Sequence, residues 1–228
     1  MSILFIYVII FLIIGIILHF TRKYDLLTIA IAYIVLGAFL YFTNISVVIY
    51  VGIFFILAEL ITMVTDKKHE KRTYKNILGN TISGIFFLII GGVISLINPI
   101  NKQTFIIAAI ASISCAFSDT LSSEIGVLSK KQPRLITNLK KEVNAGTSGG
   151  ITLLGTVGGI IGAGITALLF WIFKYDYKTI LIISICGIIG TIIDSIIGAT
   201  IENKEYINNN QTNILATFIT GIIALLLI

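Results

Sequence analysis

Charge is scarce in this sequence of 228 residues, because Asp, Glu, Lys and Arg together make up only 12% of it. A soluble domain carries about 25% charged residues, so the low charge and the mean hydropathy of +1.03 exclude an ordinary soluble domain. The two cysteines and two histidines stand at unrelated positions, which excludes a zinc site built on their spacing. The regular alternation of apolar and polar residues that marks a membrane barrel is also missing. A polytopic membrane protein made of helices remains.

Long apolar runs fill most of the chain, and each is close to the roughly 20 residues that cross a bilayer as a helix. They predict an all-α fold, a polytopic membrane helix bundle of about eight transmembrane helices within a single integral membrane domain, residues 1–228. The predicted spans are 3–20, 25–43, 45–64, 77–97, 104–127, 148–173, 179–201 and 213–228. The first run has no basic start and no small-residue cleavage site, so we interpret it as a helix and not as a cleaved signal peptide.

The basic residues of the loops predict the orientation. The first, third, fifth and seventh loops carry 13 of the 16 Lys and Arg residues. By the positive-inside rule these loops lie in the cytoplasm and both termini lie outside. The net charge of +5 reflects this bias and does not indicate a nucleic-acid partner.

Acidic residues within the apolar runs are the first candidates for function, because an Asp at the centre of a membrane helix costs about 2.5–3.5 kcal/mol. They stand near the ends of odd-numbered spans, which the predicted topology places on the cytoplasmic side: Glu59, Asp119, Glu124, Asp194 and Glu202. Asp119, Glu124 and Asp194 offer the oxygen ligands that Mg²⁺ or Mn²⁺ prefers. Asp119 and Glu124 lie about 140° apart on an ideal helix, so both face one site only if the helix loosens near Gly126. The alternative is that Asp119 and Asp194 only bond to Ser and Thr inside the bundle.

The stretch "GTSGG", residues 146–150, predicts an anion site, because glycine-rich turns expose N–H groups and helix starts carry partial positive charge. Its candidate phosphate-binding residues are Gly146, Thr147, Ser148, Gly149 and Gly150. It is not a Walker A loop, since the Gly-Lys-Ser/Thr ending is missing. The alternative is a plain helix start capped by Thr147 or Ser148.

A basic stretch, "KKQPRLITNLKK" at residues 130–141, connects an acidic helix end to this turn. Arg134 suits bidentate binding of phosphate, and Lys140 and Lys141 add charge. The alternative is that these cations serve only topology or anionic lipids. Carboxylates for a divalent ion next to donors for phosphates predict phosphoryl transfer at the cytoplasmic membrane surface.

Four blocks resemble the transmembrane-protein-19-like family, whose best-described branch is the plant phytyl-phosphate kinase of vitamin E synthesis. They are "SDTLSSEIG" at 118–126, "PRLIT" at 133–137, "KEVNAGTSGGITLLGT" at 141–156 and "GTIIDSIIGATIE" at 190–202. The resemblance is clearest over the site-bearing region, about residues 71–213. It departs in two places: Glu202 stands where the family usually has Gln, and "NNNQTN" at 208–213 replaces a common Asn-Asp pair.

The resemblance implies a magnesium-dependent phosphotransferase that converts an isoprenyl monophosphate, such as geranylgeranyl or phytyl phosphate, to the diphosphate with a nucleoside triphosphate. A more distant similarity to dolichol kinases and CDP-diacylglycerol synthases favours CTP as the donor. The catalytic residues implied are Asp119, Glu124, Asp194, Arg134 and Lys141, with Asp119, Glu124 and Asp194 at the metal and Asn80, Arg134, Lys140, Lys141 and the 146–150 turn at the phosphates.

Several alternatives stay open at this stage. A transporter or scramblase of phosphorylated lipids or organic anions would use the same residues without a nucleotide, and a cytidylyltransferase-like enzyme would release pyrophosphate. The lipid tail is expected in an apolar groove, either along the glycines Gly155, Gly158, Gly159 and Gly162 or elsewhere if these only allow close helix contact. A homo-oligomer is compatible with the sequence.

Overall fold

The computed structural model describes residues 24–64, 73–98 and 102–228. Within these residues it contains seven α-helices: α1 Leu26–Phe42, α2 Ile45–Val64, α3 Tyr74–Ser95, α4 Lys102–Gly126, α5 Leu153–Ile172, α6 Tyr177–Thr200 and α7 Asn209–Leu227. The six from α2 to α7 are long and apolar enough to cross a membrane, and α1 is a shorter apolar helix. They match the second to eighth predicted spans and confirm the all-α membrane bundle. The first predicted span, 3–20, lies outside the described residues, and the outside location of the N-terminus stays a prediction.

Polar residues begin several of these helices. The side chains of Asp25, Thr152, Asp176 and Asn208 each accept a hydrogen bond from the backbone N–H three residues on, which satisfies a donor that the helix leaves free. Hydrogen bonding to the Thr179 side chain and N–H holds the pKa of Asp176 below its usual value. The predicted start of the sixth span at residue 148 is wrong. Helix α5 begins at Leu153, with Thr152 as its N-cap.

Helix α4 forms the centre of the bundle, in contact with α2, α3, α5, α6 and α7. Every residue from Ile107 to Ser118 is buried. Glycines on two neighbours let the backbones approach: a Cβ on Gly162 of α5 would lie 2.9 Å from the Cα atom of Ser118, and one on Gly187 of α6 would lie 2.4 Å from the Ser114 hydroxyl. These close contacts hold the ends of α4 and α6, which carry the predicted acids, next to each other.

The first turns of α2 and the last turns of α5 meet through an aromatic cluster. Tyr50 is fully buried, with its ring centre 5.1 Å from that of Phe170 and 6.3 Å from that of Phe117. Its hydroxyl lies 3.1 Å from the Thr166 hydroxyl, which satisfies both polar groups inside the bundle. Tyr50 of α2 therefore packs against α5 and α4 at this end of the bundle.

The connection from α4 to α5 folds into a small antiparallel sheet of three strands, β1 Arg134–Leu135, β2 Asn138–Glu142 and β3 Gly150–Ile151, in the order β2-β1-β3. Arg134 pairs with Glu142 on one side and with Ile151 on the other. All five residues of β2 are exposed. The sheet fixes both ends of the glycine-rich turn, because β1 pairs with β2, which precedes the turn, and with β3, which follows it.

Candidate functional site

A cavity of about 1060 Å³ lies at the end of the bundle where α4 and α6 end and where α3, α5 and α7 begin. Its lining includes Asp119, Glu124, Asp194 and Glu202, the lysines Lys75, Lys130 and Lys131, and the whole 146–150 turn. The volume is at the upper limit of the roughly 300–1,000 Å³ typical of ligand pockets. The structure thus brings the predicted acids and the predicted phosphate turn to one space.

The acids of α4 and α6 form the negative part of the site. Asp119 and Asp194 are half-buried, and they lie close enough for their charges to interact, with Glu202 as a third charge. Asp119 accepts no hydrogen bond and forms no ion pair within the described part of the chain. The described residues contain no group of three acids, histidines or cysteines that could hold a metal ion without other ligands. A cation at this site would also need oxygen atoms from a molecule bound in the cavity.

Glu124 stands apart from this pair, although it lines the same cavity. It is buried at 6% exposure and accepts a hydrogen bond of 2.9 Å from the Thr62 hydroxyl at the end of α2. The structure therefore gives Glu124 a protein partner on the α2 side, in agreement with the 140° that separates it from Asp119 on an ideal helix. Its role at a metal stays a prediction.

The 146–150 turn is pressed against the last turns of α6. Gly149 has a φ of +73°, and a Cβ there would lie 2.5 Å from the Ser195 carbonyl oxygen and from the Ala199 nitrogen. Only glycine combines this left-handed backbone with so close an approach. Within the turn, Thr147 N–H donates to the Asn144 carbonyl and Gly150 N–H to the Thr147 carbonyl. The N–H of Ser148 has no acceptor among the described residues.

Glu202 fastens this turn to α7. Its carboxylate accepts hydrogen bonds from the Ser148 hydroxyl at 2.7 Å and from the buried Thr212 hydroxyl at 2.6 Å, and the Asn203 side chain donates to the Ser148 carbonyl at 2.6 Å. Hydrogen bonds to a carboxylate are among the strong ones. Glu202 and Asn203 thus hold the turn against the end of α6.

The predicted cations divide into two groups. Lys130 and Lys131 line the cavity, whereas Arg134, Lys140 and Lys141 lie on the sheet beside it and are exposed. The Arg134 guanidinium is 3.5 Å from the Glu142 carboxylate, and both side chains are more than half exposed. Such a surface pair contributes roughly 0–1 kcal/mol. The roles predicted for these three sheet residues at the phosphates therefore stay predictions.

Side-chain amides from α3 and α7 close the opposite wall. The Asn76 side-chain amide donates to the side-chain oxygen Oδ1 of Asn210 at 3.2 Å, and the side-chain amides of Asn80 and Asn213 are 3.0 Å apart. With its nitrogen turned towards α6, the Asn213 amide also donates to the Asp194 carboxylate at 3.2 Å. Asn80 was predicted here, but the α7 residues were not assigned to the site. The signal was the amide-rich "NNNQTN", whose Asn210 and Asn213 stand one helical turn apart.

The glycine face of α5 is filled by protein. Gly155, Gly158, Gly159 and Gly162 are all buried. A Cβ on Gly155 would lie 2.8 Å from the Ser122 carbonyl oxygen, and one on Gly158 would lie 2.7 Å from the Leu121 carbonyl oxygen. Helix α4 occupies this face, so these glycines serve close helix contact and leave no groove for a lipid tail.

The chain belongs to a family of integral membrane proteins. The model of the integral membrane protein family DUF92 matches residues 9–221, which confirms the resemblance found in the motif blocks. The uncharacterized membrane protein MJ0933 of Methanocaldococcus jannaschii is 38% identical over 181 residues, which cover 76% of this chain and 73% of that protein.

Two proteins of Arabidopsis thaliana are also similar. Protein PGR is 40% identical over 119 residues, which cover 45% of this chain and 41% of that protein. Protein VTE6, chloroplastic, is 27% identical over 171 residues, which cover 72% of this chain and 50% of that protein. The chain therefore spans half or less of the length of these plant relatives. No solved structure is significantly similar to the chain.

Proposed function

We propose that this protein is a membrane-embedded isoprenyl-phosphate kinase. It transfers the γ-phosphoryl group of a nucleoside triphosphate to a polyprenyl monophosphate of the geranylgeranyl or phytyl phosphate type and forms the diphosphate. The observation that carries the proposal is the cavity wall, where Asp119, Asp194, the 146–150 turn and the lysines Lys130 and Lys131 surround one space. Phosphoryl transfer needs this combination, since it is mainly positioning and charge stabilisation.

The acids fit Mg²⁺ or Mn²⁺. Magnesium is commonly held by one or two carboxylates, with substrate phosphates and waters as the other ligands. Asp119 supports this fit, because its half-buried carboxylate lines the cavity and accepts no hydrogen bond from the residues that the structure describes. Asp194 would be the second ligand, oriented by the Asn213 amide. When bound, the ion would neutralise phosphate charge and polarise the transferred group.

The protein's other groups position the two phosphates. The Ser148 N–H and the lysines Lys130 and Lys131 would hold the nucleotide phosphates, and the turn that carries Ser148 is fixed by Glu202. An oxygen of the lipid monophosphate attacks the γ-phosphorus, the bond to the bridging oxygen breaks, and the nucleoside diphosphate leaves. That attacking oxygen is already ionised at neutral pH, because the second pKa of a phosphate monoester is about 6, so no general base is needed.

The substrate class rests on the resemblance of the four motif blocks to the phytyl-phosphate kinase branch, and the similarity to a chloroplastic plant protein agrees with it. We propose that the cavity lies on the cytoplasmic side, which the positive-inside rule predicts for the basic loops and where nucleotides are available. CTP as the donor is an expectation from distant resemblance alone.

A transporter or scramblase is the alternative function. It would need polar lining towards the midplane and access from both ends. The cavity lining stands at one end of the bundle, and further along Tyr50 of α2 packs against Thr166 and Phe170 of α5. This one-sided arrangement favours the enzyme.

An activity assay tests the proposal. The purified protein in detergent is given geranylgeranyl monophosphate, Mg²⁺ and each nucleoside triphosphate in turn, and the lipid products are detected by mass. We expect a diphosphate whose formation falls by about 100-fold or more in Asp119→Asn and Asp194→Asn. Asp176→Asn is the matched control, because this exposed helix cap lies at the other end of α6 and Asn is an equally good cap. No product with any nucleotide, together with no nucleotide binding, would refute the kinase and favour transport.

A further inference from the structure

Two pairs of asparagine side chains connect α3 and α7 in the cavity wall. Asn76 pairs with Asn210, and Asn80 pairs with Asn213. All four side chains are half-buried and line the cavity. The two members on α3 stand four residues apart and the two on α7 stand three apart, so the second pair follows the first by one helical turn. These four residues form the amide ladder.

The backbones of α3 and α7 hold the ladder at a fixed width. Between the two ladder residues of α3, a Cβ on Gly79 would lie 3.3 Å from the Asn210 carbonyl oxygen, so glycine allows a close approach here. Further along the same interface, the Ser83 hydroxyl donates to the Ile214 carbonyl at 3.0 Å. The amides therefore stand on two packed helices, which position binding groups more precisely than loops do.

The first pair leaves a hydrogen-bond donor without a partner. The Thr73 N–H lies 2.8 Å from the side-chain oxygen of Asn76, and because a backbone N–H can only donate, it fixes the orientation of the Asn76 amide. The Asn76 nitrogen then donates to the side-chain oxygen of Asn210 at 3.2 Å. Asn210 therefore turns its NH2 group away from Asn76, and this group has no acceptor among the described residues.

The second pair leaves an acceptor without a partner. One polar atom of the Asn213 amide lies 3.1 Å from the Asn209 carbonyl and 3.2 Å from the Asp194 carboxylate. A carbonyl can only accept, so this atom is the nitrogen, and the Asn213 oxygen faces Asn80 at 3.0 Å. Asn80 must then donate through its own nitrogen. Its oxygen is left without a donor in the part of the chain that the structure describes.

The free oxygen of Asn80 discriminates between the parts of the proposed substrates. An ionised phosphate only accepts hydrogen bonds, and an isoprenyl chain has neither donors nor acceptors. Neither group matches an acceptor. A nucleoside matches both ladder groups, because its base edges and its ribose hydroxyls carry donors for Asn80 and acceptors for the Asn210 NH2.

We infer that the amide ladder binds the nucleoside of the phosphoryl donor, with the Asn210 NH2 donating to it and the Asn80 oxygen accepting from it. This inference rests on the proposed function for the presence of a nucleoside triphosphate. It moves Asn80 from the phosphates, where the resemblance put it, to the nucleoside. The ladder adjoins the acids through the hydrogen bond from Asn213 to Asp194, so the phosphates of the same nucleotide lie towards the cation and the 146–150 turn.

Inorganic tripolyphosphate tests this inference, because it has a chain of phosphates but no nucleoside. We measure the Kd of ATP, CTP, GTP and UTP, each with Mg²⁺, and that of tripolyphosphate with Mg²⁺, by equilibrium dialysis in detergent. We expect Asn210→Ala and Asn80→Ala each to raise the Kd of the tightest-binding nucleotide about three- to tenfold and that of tripolyphosphate by less than about twofold. Equal losses for both ligands would assign the amides to the phosphates or the cation and overturn the inference. The two variants break different pairs, so either one that folds is a sufficient test.

Two controls separate contact with the ligand from support of the helices. Asn76→Ala breaks the same hydrogen bond between α3 and α7 as Asn210→Ala but keeps the NH2 group of Asn210. Asn138→Ala removes an exposed amide of β2 that does not line the cavity. We expect both controls to change the nucleotide Kd by less than about twofold. A loss in Asn76→Ala as large as that in Asn210→Ala would contradict direct contact with the nucleoside.

Wild-type activity separates this inference from the proposed function. If the protein binds a nucleotide with the expected dependence on Asn80 and Asn210 but forms no lipid diphosphate, the kinase fails and the ladder stands as a nucleoside site. If the protein forms the diphosphate as well with tripolyphosphate as with any nucleoside triphosphate, phosphoryl transfer stands and the ladder is refuted.

Discussion

The double hydrogen bond of Glu202 gives the sharpest test of how the turn is held. Glu202→Ala removes two hydrogen bonds to a charged acceptor and leaves the buried Thr212 hydroxyl without its short bond. Such bonds contribute roughly 1.5–3 kcal/mol each, and because Glu202 is half-buried we expect about 2–4 kcal/mol for both together. Glu202→Gln keeps an oxygen for one hydroxyl and can donate to the other, so we expect it to cost about 1 kcal/mol or less.

Thermal unfolding in detergent measures this difference. At about 2–4 °C per kcal/mol for a chain of this size, Glu202→Ala should lower Tm by about 4–16 °C and Glu202→Gln by less than about 4 °C. The control is Glu142→Ala, which breaks only the exposed pair with Arg134 and should stay within about 1 kcal/mol of wild type. A loss for Glu202→Ala no larger than for Glu142→Ala, or equal losses for the Ala and Gln variants, would contradict the clamp.

Three further outcomes follow from local geometry. Gly149→Ala should destabilise the protein by at least about 3 kcal/mol and abolish turnover, because its Cβ would collide with the backbone of α6. Gly146→Ala, in open space at φ +89°, should cost only about 1–2 kcal/mol of backbone strain. Chemical or thermal unfolding compares the stability of the two variants. Gly162→Ala should cost about 1–3 kcal/mol through overpacking on α4, and Gly164→Ala, with nothing nearby, should be neutral or stabilising in the same assay. The lowered pKa of Asp176 contributes stability that is present above the unfolded-state pKa of the carboxyl and is lost as pH falls through the folded-state pKa. Asp176→Asn should therefore flatten the acid side of a plot of Tm against pH. An unchanged curve would contradict this.

Hydropathy predicted the helices, and loop charge predicted that the acidic helix ends lie at the same end of the bundle. Both predictions depend only on local composition. The runs that became α2 to α7 are about as long as a bilayer is thick, and the acids on α4 and α6 were placed together by loop charge alone. The turn at 146–150 could also be predicted, since its glycines have few uses other than tight backbone geometry.

The small sheet could not be predicted in the same way. Strands of two residues are too short for an alternating pattern, and β2 is exposed on every residue, so burial leaves no period in the sequence. The start of α5 was misplaced for the same reason: Gly150 and Ile151 pair with β1, and the cap falls to Thr152. Pairing across the chain decides this boundary, and single-sequence patterns do not contain it.

The roles of the α7 amides and of Glu202 depend on contacts between distant parts of the chain. Asn213 meets Asp194 and Asn80 only because α7 packs beside α3 and α6, and Glu202 meets Ser148 only because the turn folds back onto α6. Each of these residues is polar at the end of an apolar run, which by itself indicates a helix cap as readily as a site.

The distribution of charge explains why the site stands at the helix ends. Asp119 and Asp194 repel each other, and Glu202 adds to that repulsion, yet Glu202 is satisfied by two hydroxyls. Asp119 accepts no such hydrogen bond within the described residues, so a cation between the two aspartates would reduce this repulsion. The same acids deeper in α4 would sit among residues 107–118, all buried, where neither water nor a nucleotide arrives. A cavity wall that a cation and phosphates would complete, at one end of the bundle, favours the proposed chemistry on a lipid headgroup over passage through the bundle.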